Sequence, residues 1–444
     1  MPYLGNTPTT QSFTSGTDYF NGTGSQTAFT LSRTVASVND IEAVVNFVVQ
    51  RPNDAYTISG TTITFTSAPS SGTNNVYVRY LSTTTQVITP SQNTVSYSTF
   101  NSDNQSKLGI SYKNRIINGN MAIDQRNAGA STSPTGTYTL DRWYVLASQS
   151  SKFTVQQNAG SVTPPAGFTN YLGITSSSAY SILSSDYFLV DQYIEGFNTA
   201  DLDFGKSTAK TVTLSFWVRS SLTGTFGGVL QNSAVDRSYV FSYSISSANT
   251  WEQKSITIAG DTTGTWVGAT NGKGMGVRFS FGMGSTYTNT ANSWYAGNYD
   301  APTGQTSVVG TNGATFYLTG VQLEVGTQAT TFTTAGGSYG AELALCQRYY
   351  QVAYGAAGYN GLVGRMYATA GGQGIPLNVF NKVTMRASPT GSIIGSWTTG
   401  NCSGVSITGT SQDVAFIYAS ATASGDAYFY ANSASNGYSL SAEL

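Results

Sequence analysis

The fold class of this chain is decided by the stretch Lys210-Thr211-Val212-Thr213-Leu214-Ser215-Phe216-Trp217-Val218-Arg219. Apolar and polar side chains alternate along it, which is the pattern of a strand with one buried face. The same alternation recurs in Tyr239–Ile245, Gly276–Gly282 and Thr315–Glu324. Around ten such segments, with no helical run among them, predict a jelly roll of two antiparallel sheets across residues 113–337.

A smaller β-domain is predicted at the N-terminal end, over residues 1–82. Its segments are Ala28–Leu31, Ile41–Val49, Thr61–Phe65 and Asn75–Tyr80, and we interpret Ile41–Val49 as one longer strand. These short strands indicate a small β-sandwich. Residues 83–112 are rich in Thr, Ser, Gln and Asn and have few large apolar side chains, so we interpret them as a linker.

The C-terminal part, residues 338–444, is predicted to be a β tip domain that follows one short helix. The helix is indicated over Tyr339–Tyr350, because Leu343, Cys346 and Tyr350 share one face and Gly355 supports a stop. Strand segments follow it to the end of the sequence. The chain as a whole is therefore predicted to be all-β.

The composition excludes several classes of function. Only 9% of the 444 residues are charged and the formal net charge is −1, which argues against a nucleic-acid partner. No apolar run is long enough for membrane insertion, and Met1–Thr7 lacks the features of a signal peptide, so we expect synthesis in a cytoplasm. Cys346 and Cys402 are too few for a disulfide framework.

Three segments of the sequence resemble a known family. The first and last segments of a β-sandwich module in bacteriophage tail-fibre and receptor-binding proteins are similar to Asn114–Arg126, Asp141-Arg142-Trp143 and Gly320–Gly326. That module is in turn similar to jelly-roll carbohydrate-binding modules. Residues 16–82 resemble the N-terminal domain by which podovirus tail fibres join the virion, and Glu342–Tyr350 with the terminal Ala-Glu-Leu resembles the fibre tip. The resemblance implies a homotrimer in the virion, synthesised in the host cytoplasm.

The sequence contains few residues suited to catalysis or metal binding. The absence of histidine removes the Ser/His/Asp and Cys/His nucleophile systems and the usual zinc sets. We expect no cofactor, although Asp201 and Asp203, joined by Asp186 or Asp191, are candidate ligands for a structural calcium ion. The alternative is that this region is a polar loop. We predict a binding protein rather than an enzyme.

The best candidate for a binding site is the segment Asn292–Asp300, which we interpret as a loop. Trp294, Tyr295 and Tyr299 lie there among turn-forming residues, and Asn298 and Asp300 can bond sugar hydroxyls. The alternative is that the loop packs on a neighbouring subunit. A second candidate surface is Tyr428–Tyr430 with Tyr438, which can equally be core.

Together these observations predict a phage virion fibre. Its N-terminal domain would attach to a tail or virion protein, and its later domains would bind a host cell-surface polysaccharide. Two alternatives remain: a purely structural fibre that makes subunit contacts, and a glycan-cleaving tail protein.

Overall fold

A computed structural model describes residues 16–81, 113–356 and 361–444. Contacts divide the chain into two compact units, Met1–Thr99 and Phe100–Leu444. The predicted linker, residues 83–112, lies outside the described residues. Strands dominate both units, which confirms the predicted all-β fold. Among the described residues, no helix is long and apolar enough to cross a membrane.

The first unit consists of short antiparallel strands around one small core. Its strands are β1 (Thr17–Gly22), β2 (Ala28–Thr30), β3 (Ile41–Val45), β4 (Val48–Val49), β5 (Tyr56–Ser59), β6 (Thr62–Phe65) and β7 (Gly72–Tyr80). They form a four-stranded sheet, β1-β7-β3-β4, and a three-stranded sheet, β2-β6-β5. Ile41, Val76 and Val78 of the first sheet pack with Ile63 and Phe65 of the second.

The predicted single strand over Ile41–Val49 is wrong. Asn46 and Phe47 adopt positive φ angles of 48° and 66°, so the chain reverses there and β3 pairs with β4 as a hairpin. The apolar run in the sequence conceals this turn, because Phe47 is not a residue that marks a reversal.

The second unit begins with a sandwich of two antiparallel sheets. Its strands are β8 (Thr137–Leu140), β9 (Trp143–Ala147), β10 (Phe153–Gln157), β11 (Leu172–Ser176), β12 (Tyr187–Glu195), β13 (Val212–Ser220), β14 (Gly224–Asn232), β15 (Arg237–Ile245), β16 (Glu252–Ile258), β17 (Lys273–Met283), β18 (Thr288–Asn289), β19 (Ser293–Ala296), β20 (Ala301–Pro302) and β21 (Thr315–Val325). The seven-stranded sheet has the order β19-β15-β14-β17-β12-β9-β8, and the five-stranded sheet β10-β11-β21-β13-β16. β18 and β20 form a separate parallel pair.

The alternation in the sequence decides which side chains fill this sandwich. Leu214, Phe216 and Val218 of β13 point inward and meet Val277 and Phe279 of β17 in one continuous core. The Phe216 and Phe279 rings lie 4.9 Å apart, edge to face. The predicted arrangement of two sheets packed face to face is confirmed.

The remainder of the second unit contains helix α1 and three small sheets. Helix α1 spans Tyr339–Gln347 and begins at Ser338, whose hydroxyl accepts a hydrogen bond from the Ala341 N–H. The helix ends earlier than predicted, because Tyr350 already starts a strand. The strands are β22 (Tyr350–Tyr354), β23 (Val363–Ala368), β24 (Gly374–Phe380), β25 (Thr390–Ile394), β26 (Thr398–Gly400), β27 (Cys402–Thr410), β28 (Val414–Ala421), β29 (Gly425–Tyr430) and β30 (Gly437–Ser441).

These strands form three sheets of three strands each, β22-β30-β25, β23-β29-β26 and β24-β28-β27. Both cysteines are buried, and neither forms a disulfide. The predicted domain boundary between residues 337 and 338 stays a prediction.

A buried set of charges, which we call the junction, ties the sandwich to the C-terminal strands. Glu443 forms ion pairs with Arg142 and, at 2.6 Å, with Arg126. Arg142 is almost fully buried, and its guanidinium lies 3.6 Å from the ring centroid of Tyr349. Glu195 of β12 accepts hydrogen bonds from Tyr349 and from Arg348, both at 2.6 Å. Arg126, Arg142, Tyr349 and Glu443, from four of the segments that resemble fibre proteins, therefore meet in the junction.

We predict that Glu443→Ala lowers the free energy of unfolding of the second unit by about 3–5 kcal/mol. The reason is that Arg142 would keep a buried charge without its carboxylate. Urea unfolding of the full chain measures this change. The matched control is Asp426→Ala, which removes the partner of Arg365 from an exposed ion pair and should have little effect. Equal losses in the two variants would contradict the prediction.

Candidate functional site

The outer face of the seven-stranded sheet, the side turned away from the five-stranded sheet, carries an ordered row of side chains. Tyr295, Ser238, Gln231, Gly276 and Tyr193 stand directly opposite one another on β19, β15, β14, β17 and β12. Their neighbours along each strand point into the core, so alternation directs this row outward. Both terminal tyrosines are half-buried, whereas the three residues between them are buried. Ser238 and Gln231 donate hydrogen bonds to residues 297–300, which cover the middle of the row. Four strand spacings of about 4.8 Å separate them, or about 19 Å.

Beside this row, and sharing Gln231 with it, lies a buried polar centre formed by Asp191, Gln231, Arg278 and Asp300. Arg278 pairs with Asp191 through Nε and with Asp300 through Nη1, each at 2.8 Å. Gln231 Nε2 donates to Asp300 Oδ1 at 3.1 Å. Burial raises the pKa of Asp300, and the charge of Arg278 opposes that rise. The ion pairs hold Arg278 in a fixed position beside the row.

Two acceptors of the polar centre have no hydrogen-bond partner within the described part of the chain. They are Asp191 Oδ1 and Gln231 Oε1, and both are buried. A buried acceptor without a partner costs free energy unless water or a ligand satisfies it. Gly276 lies beside Asp191 Oδ1, where an added Cβ would stand 3.6 Å away. The middle of the row therefore combines unsatisfied acceptors with a position that has no side chain.

Half-buried tyrosines and a lysine border the polar centre on the β9–β12 side. Tyr144 lies opposite Asp191 in the ladder, and its ring centroid is 6.1 Å from that of Tyr193. Lys273 Nζ stands 3.8 Å from the Tyr193 ring centroid. Burial lowers the pKa of Lys273 to about 8. This side of the face offers aromatic surface, hydroxyl groups and one cation.

The predicted segment Asn292–Asp300 borders the polar centre on the opposite side, but its first half is not a loop. Residues Ser293–Ala296 form the edge strand β19, so neighbouring side chains point to opposite faces. Tyr295 and Tyr299 are half-buried with ring centroids 5.7 Å apart, and Asn298 is exposed with its Oδ1 accepting from Gln231 at 3.0 Å. These three residues lie together beside the polar centre, and their role in binding stays a prediction.

Trp294 and Asp300 both make structural contacts. Trp294 points inward, where its Nε1 donates to the Ala259 carbonyl at 2.8 Å and its ring meets Tyr239 and Trp266 edge to face. Asp300 is buried and committed to Arg278. Trp294 is half-buried and Asp300 is buried, and their role in binding stays a prediction.

The candidate calcium ligands are held apart by separate partners. Asp201 pairs with Arg115 at 2.7 Å and Asp203 with Lys206 at 2.8 Å, in short turns rather than on a strand. Asp186 accepts hydrogen bonds from Ser148, Gln149 and Tyr180, and Asp191 belongs to the polar centre. Within the described ranges, no three acidic or cysteine side chains are grouped as a metal site.

The side chains of the second predicted surface, on β29 and β30, alternate between the outer face and the core. Tyr428 and Tyr430 are half-buried, whereas Phe429 and Tyr438 belong to the core of the small sheets.

The sequence analysis did not identify Tyr144, Tyr193 and Lys273 as candidate binding residues. The alternation of apolar and polar residues could have identified the two tyrosines. Trp143 and Ile194 are core residues, so their neighbours Tyr144 and Tyr193 point to the opposite face of the sheet.

Comparison with known proteins gives distant likenesses only. No protein family matches the chain, and no curated protein matches it. The chain is similar to the enzymatically active domain of bacteriophage CBA120 tailspike protein 4, with 11% identity over 48% of this chain and 22% of that chain and a TM-score of 0.27. It is similar to a family 11 carbohydrate-binding module of Clostridium thermocellum, with 12% identity over 46% of this chain and 99% of that chain and a TM-score of 0.23.

The N-terminal cellulose-binding domain of β-1,4-glucanase C from Cellulomonas fimi is a third such structure, with 14% identity, coverage of 46% and 100%, and a TM-score of 0.24. Likenesses of this size carry no weight for function.

Trp294→Ala is expected to lower the free energy of unfolding of the second unit by about 3 kcal/mol, because it leaves a cavity beside Tyr239 and Trp266. Tyr295→Ala, one residue further on the opposite face of β19, should cost much less. Urea unfolding of both variants checks the orientation of this edge strand. A larger loss for Tyr295→Ala would show that the strand faces the other way.

Lys273 should titrate with a midpoint near pH 8, because burial disfavours its charged form. Its pKa is lower in the folded than in the unfolded chain, so its contribution to stability increases as pH rises from about 8 to about 10.5. Nuclear magnetic resonance of dimethylated lysines measures the midpoint, and the signal lost in Lys273→Arg assigns it. A midpoint above 10 would contradict the burial of this ammonium group.

Proposed function

We propose that the second unit binds a bacterial cell-surface glycan across the outer face of its seven-stranded sheet. One observation carries the proposal: an outward row begins and ends with half-buried tyrosines, has a glycine and the buried amide acceptor Gln231 Oε1 between them, and lies beside the buried carboxylate acceptor Asp191 Oδ1. Sugar rings combine apolar C–H faces with many hydroxyl groups. Aromatic surface beside fixed polar groups is the combination that such a ligand requires.

The length of the row favours a chain of sugars over a single ring. Tyr193 and Tyr295 at its ends are about 19 Å apart by strand spacing, so one small ligand cannot contact both. In the proposed complex, Tyr144 and Tyr193 contact one end of the glycan, and Tyr295, Tyr299 and Asn298 contact the other. Asp191 and Gln231 supply acceptors for hydroxyl groups in the middle, with the side chains around them adjusting to admit the ligand.

The proposed setting is a bacteriophage fibre. The resemblance of residues 114–126, 141–143 and 320–326 to fibre modules supports this setting, as does the resemblance of residues 16–82 to a virion-attachment domain. In this proposal the first unit attaches to a virion protein and the chain forms a homotrimer. Three weak sites would then act together through avidity.

The test measures binding of the full chain to intact bacteria and to a panel of bacterial polysaccharides. We expect saturable binding that Tyr144→Ala and Tyr193→Ala each weaken at least tenfold, a loss of about 1.4 kcal/mol. Tyr367→Ala is the matched control, because Tyr367 is 71% exposed on β23 of the same unit. Unfolding midpoints establish that the variants are folded.

Gly276→Ala provides a second, independent variant. The added methyl group would lie 3.4 Å from Tyr193 and 3.6 Å from Asp191 Oδ1, at ordinary contact distance, so the fold should persist. The methyl group would occupy space between Tyr193 and Asp191 that the proposed ligand needs. Release of reducing ends is followed in the same wells. Undiminished binding by all three variants would exclude this face, and cleavage would indicate the glycan-cleaving alternative.

A further inference from the structure

The five-stranded sheet carries an arginine without a counter-ion on the side turned away from the sandwich core. Among the described residues of the second unit are nine arginines, and seven of them pair with a carboxylate. Arg386 donates instead to three backbone carbonyls. The two Nη nitrogens of Arg219, on β13, have no hydrogen-bond or ion-pair partner in the described part of the chain, and the residue is half-buried. This guanidinium is therefore open to an acceptor from outside the chain.

Contacts on its other side hold Arg219 in place. Its Nε donates to the Asn249 carbonyl at 2.9 Å, and its guanidinium carbon lies 5.4 Å from the ring centroid of Tyr317, the residue directly opposite on β21. Tyr317 is buried in a small aromatic cluster with Tyr171. The Asn249 N–H in turn donates to the Ser220 carbonyl at 2.7 Å. A guanidinium fixed in this way loses little conformational freedom when its two Nη nitrogens bind a carboxylate in the bidentate manner.

Trp217 lies two residues before Arg219 on the same face of β13, about 7 Å away along the strand. Five of the six tryptophans donate their indole N–H to an oxygen atom of the chain. Trp217 is the sixth, half-buried and without an acceptor among the described residues.

The outward position of Trp217 depends on a glycine of the neighbouring strand. Gly320 adopts a φ of 61° where the pairing of β13 with β21 shifts by one residue, as in a β-bulge. A Cβ at position 320 would stand 3.1 Å from the Trp217 ring and 2.6 Å from the Phe168 ring. The missing side chain therefore leaves room for the indole.

Gln253 completes this surface, directly opposite Trp217 on β16 and exposed. The adjacent Glu252 does not neutralise Arg219, because it is paired with Lys254 at 2.5 Å and accepts from two backbone N–H groups. We call Trp217, Arg219 and Gln253 the Arg219 site. It combines aromatic surface with guanidinium, indole and amide N–H donors.

We propose that the Arg219 site binds a carboxylate-bearing sugar, such as a hexuronic acid, of a bacterial surface polysaccharide. The carboxylate pairs with the two Nη nitrogens, the C–H side of the sugar ring lies against the indole, and Gln253 bonds a hydroxyl group. A spacing of about 7 Å between Trp217 and Arg219 matches one sugar residue that carries both the ring and the carboxylate. An acidic peptide would use the guanidinium but leave the indole uncovered. The inference rests on the proposed function for the source of the glycan, although the Arg219 site lies on the opposite sheet from the outer face.

The test compares bacterial oligosaccharides that contain hexuronic or sialic acid with their carboxyl-reduced counterparts, by calorimetric titration of the full chain. We expect acidic members of this panel to bind about tenfold more tightly than their reduced counterparts, because reduction removes a bidentate ion pair. Arg219→Gln should abolish this preference. Arg219→Lys should retain part of it, because lysine keeps the charge without the fork of donors. Arg365→Gln is the matched control, since Arg365 pairs with Asp426 on other strands of the same unit.

Tyr193→Ala separates this site from the outer face. It should weaken the binding of neutral sugars and leave the preference for acidic sugars intact. If Tyr193→Ala changes neither, the outer-face proposal fails while the Arg219 site stands. Loss of the preference in Tyr193→Ala, a preference that survives in Arg219→Gln, or no preference in the unsubstituted chain would each overturn the inference. Arg219-dependent binding of a tetraglutamate peptide, as tight as that of the acidic sugars, would also overturn it and indicate a protein carboxylate as the ligand.

Discussion

The buried guanidinium of Arg142 is the interaction on which the second unit depends. Its charge is stabilised by Glu443 near the end of the sequence, and it donates a hydrogen bond to the Tyr193 carbonyl at 2.5 Å. One side chain therefore connects the last residues of the chain, the β8–β9 turn and strand β12. Because a buried charge without its partner is costly, these three segments are held in one arrangement. The tyrosine side of the outer face is positioned by the same contact.

Arg278 performs a similar task at the centre of the outer face. Two carboxylates hold it in place, and the half-buried tyrosines stand on either side of this group. Residues after β17 cross part of the face, where Ala301 packs with Leu189 and Met283. The outer face is thus neither a bare sheet nor a second core. It retains polar groups that the core side of the same strands excludes.

Alternation in the sequence was sufficient to predict the strands and most of the core, because burial of one face imposes a period of two residues. It was not sufficient where a turn is made by an unusual residue, as at Phe47, or where polar residues flank a short edge strand, as at Asn292 and Gly297. Trp294 was assigned to a loop for that reason, although it lies in β19. The partners of Arg142 and Arg278 are far apart in sequence, so no local pattern indicates them.

Glycan binding on the outer face is tested most directly by hydrogen–deuterium exchange of the full chain, with and without a polysaccharide that it binds. We expect slower exchange in β12, β17 and β19, at residues 187–195, 273–283 and 293–296, which carry Tyr193, Gly276 and Tyr295 of the outer row. Protection confined to β29 and β30, at residues 425–441, would contradict it and place binding on the small C-terminal sheets.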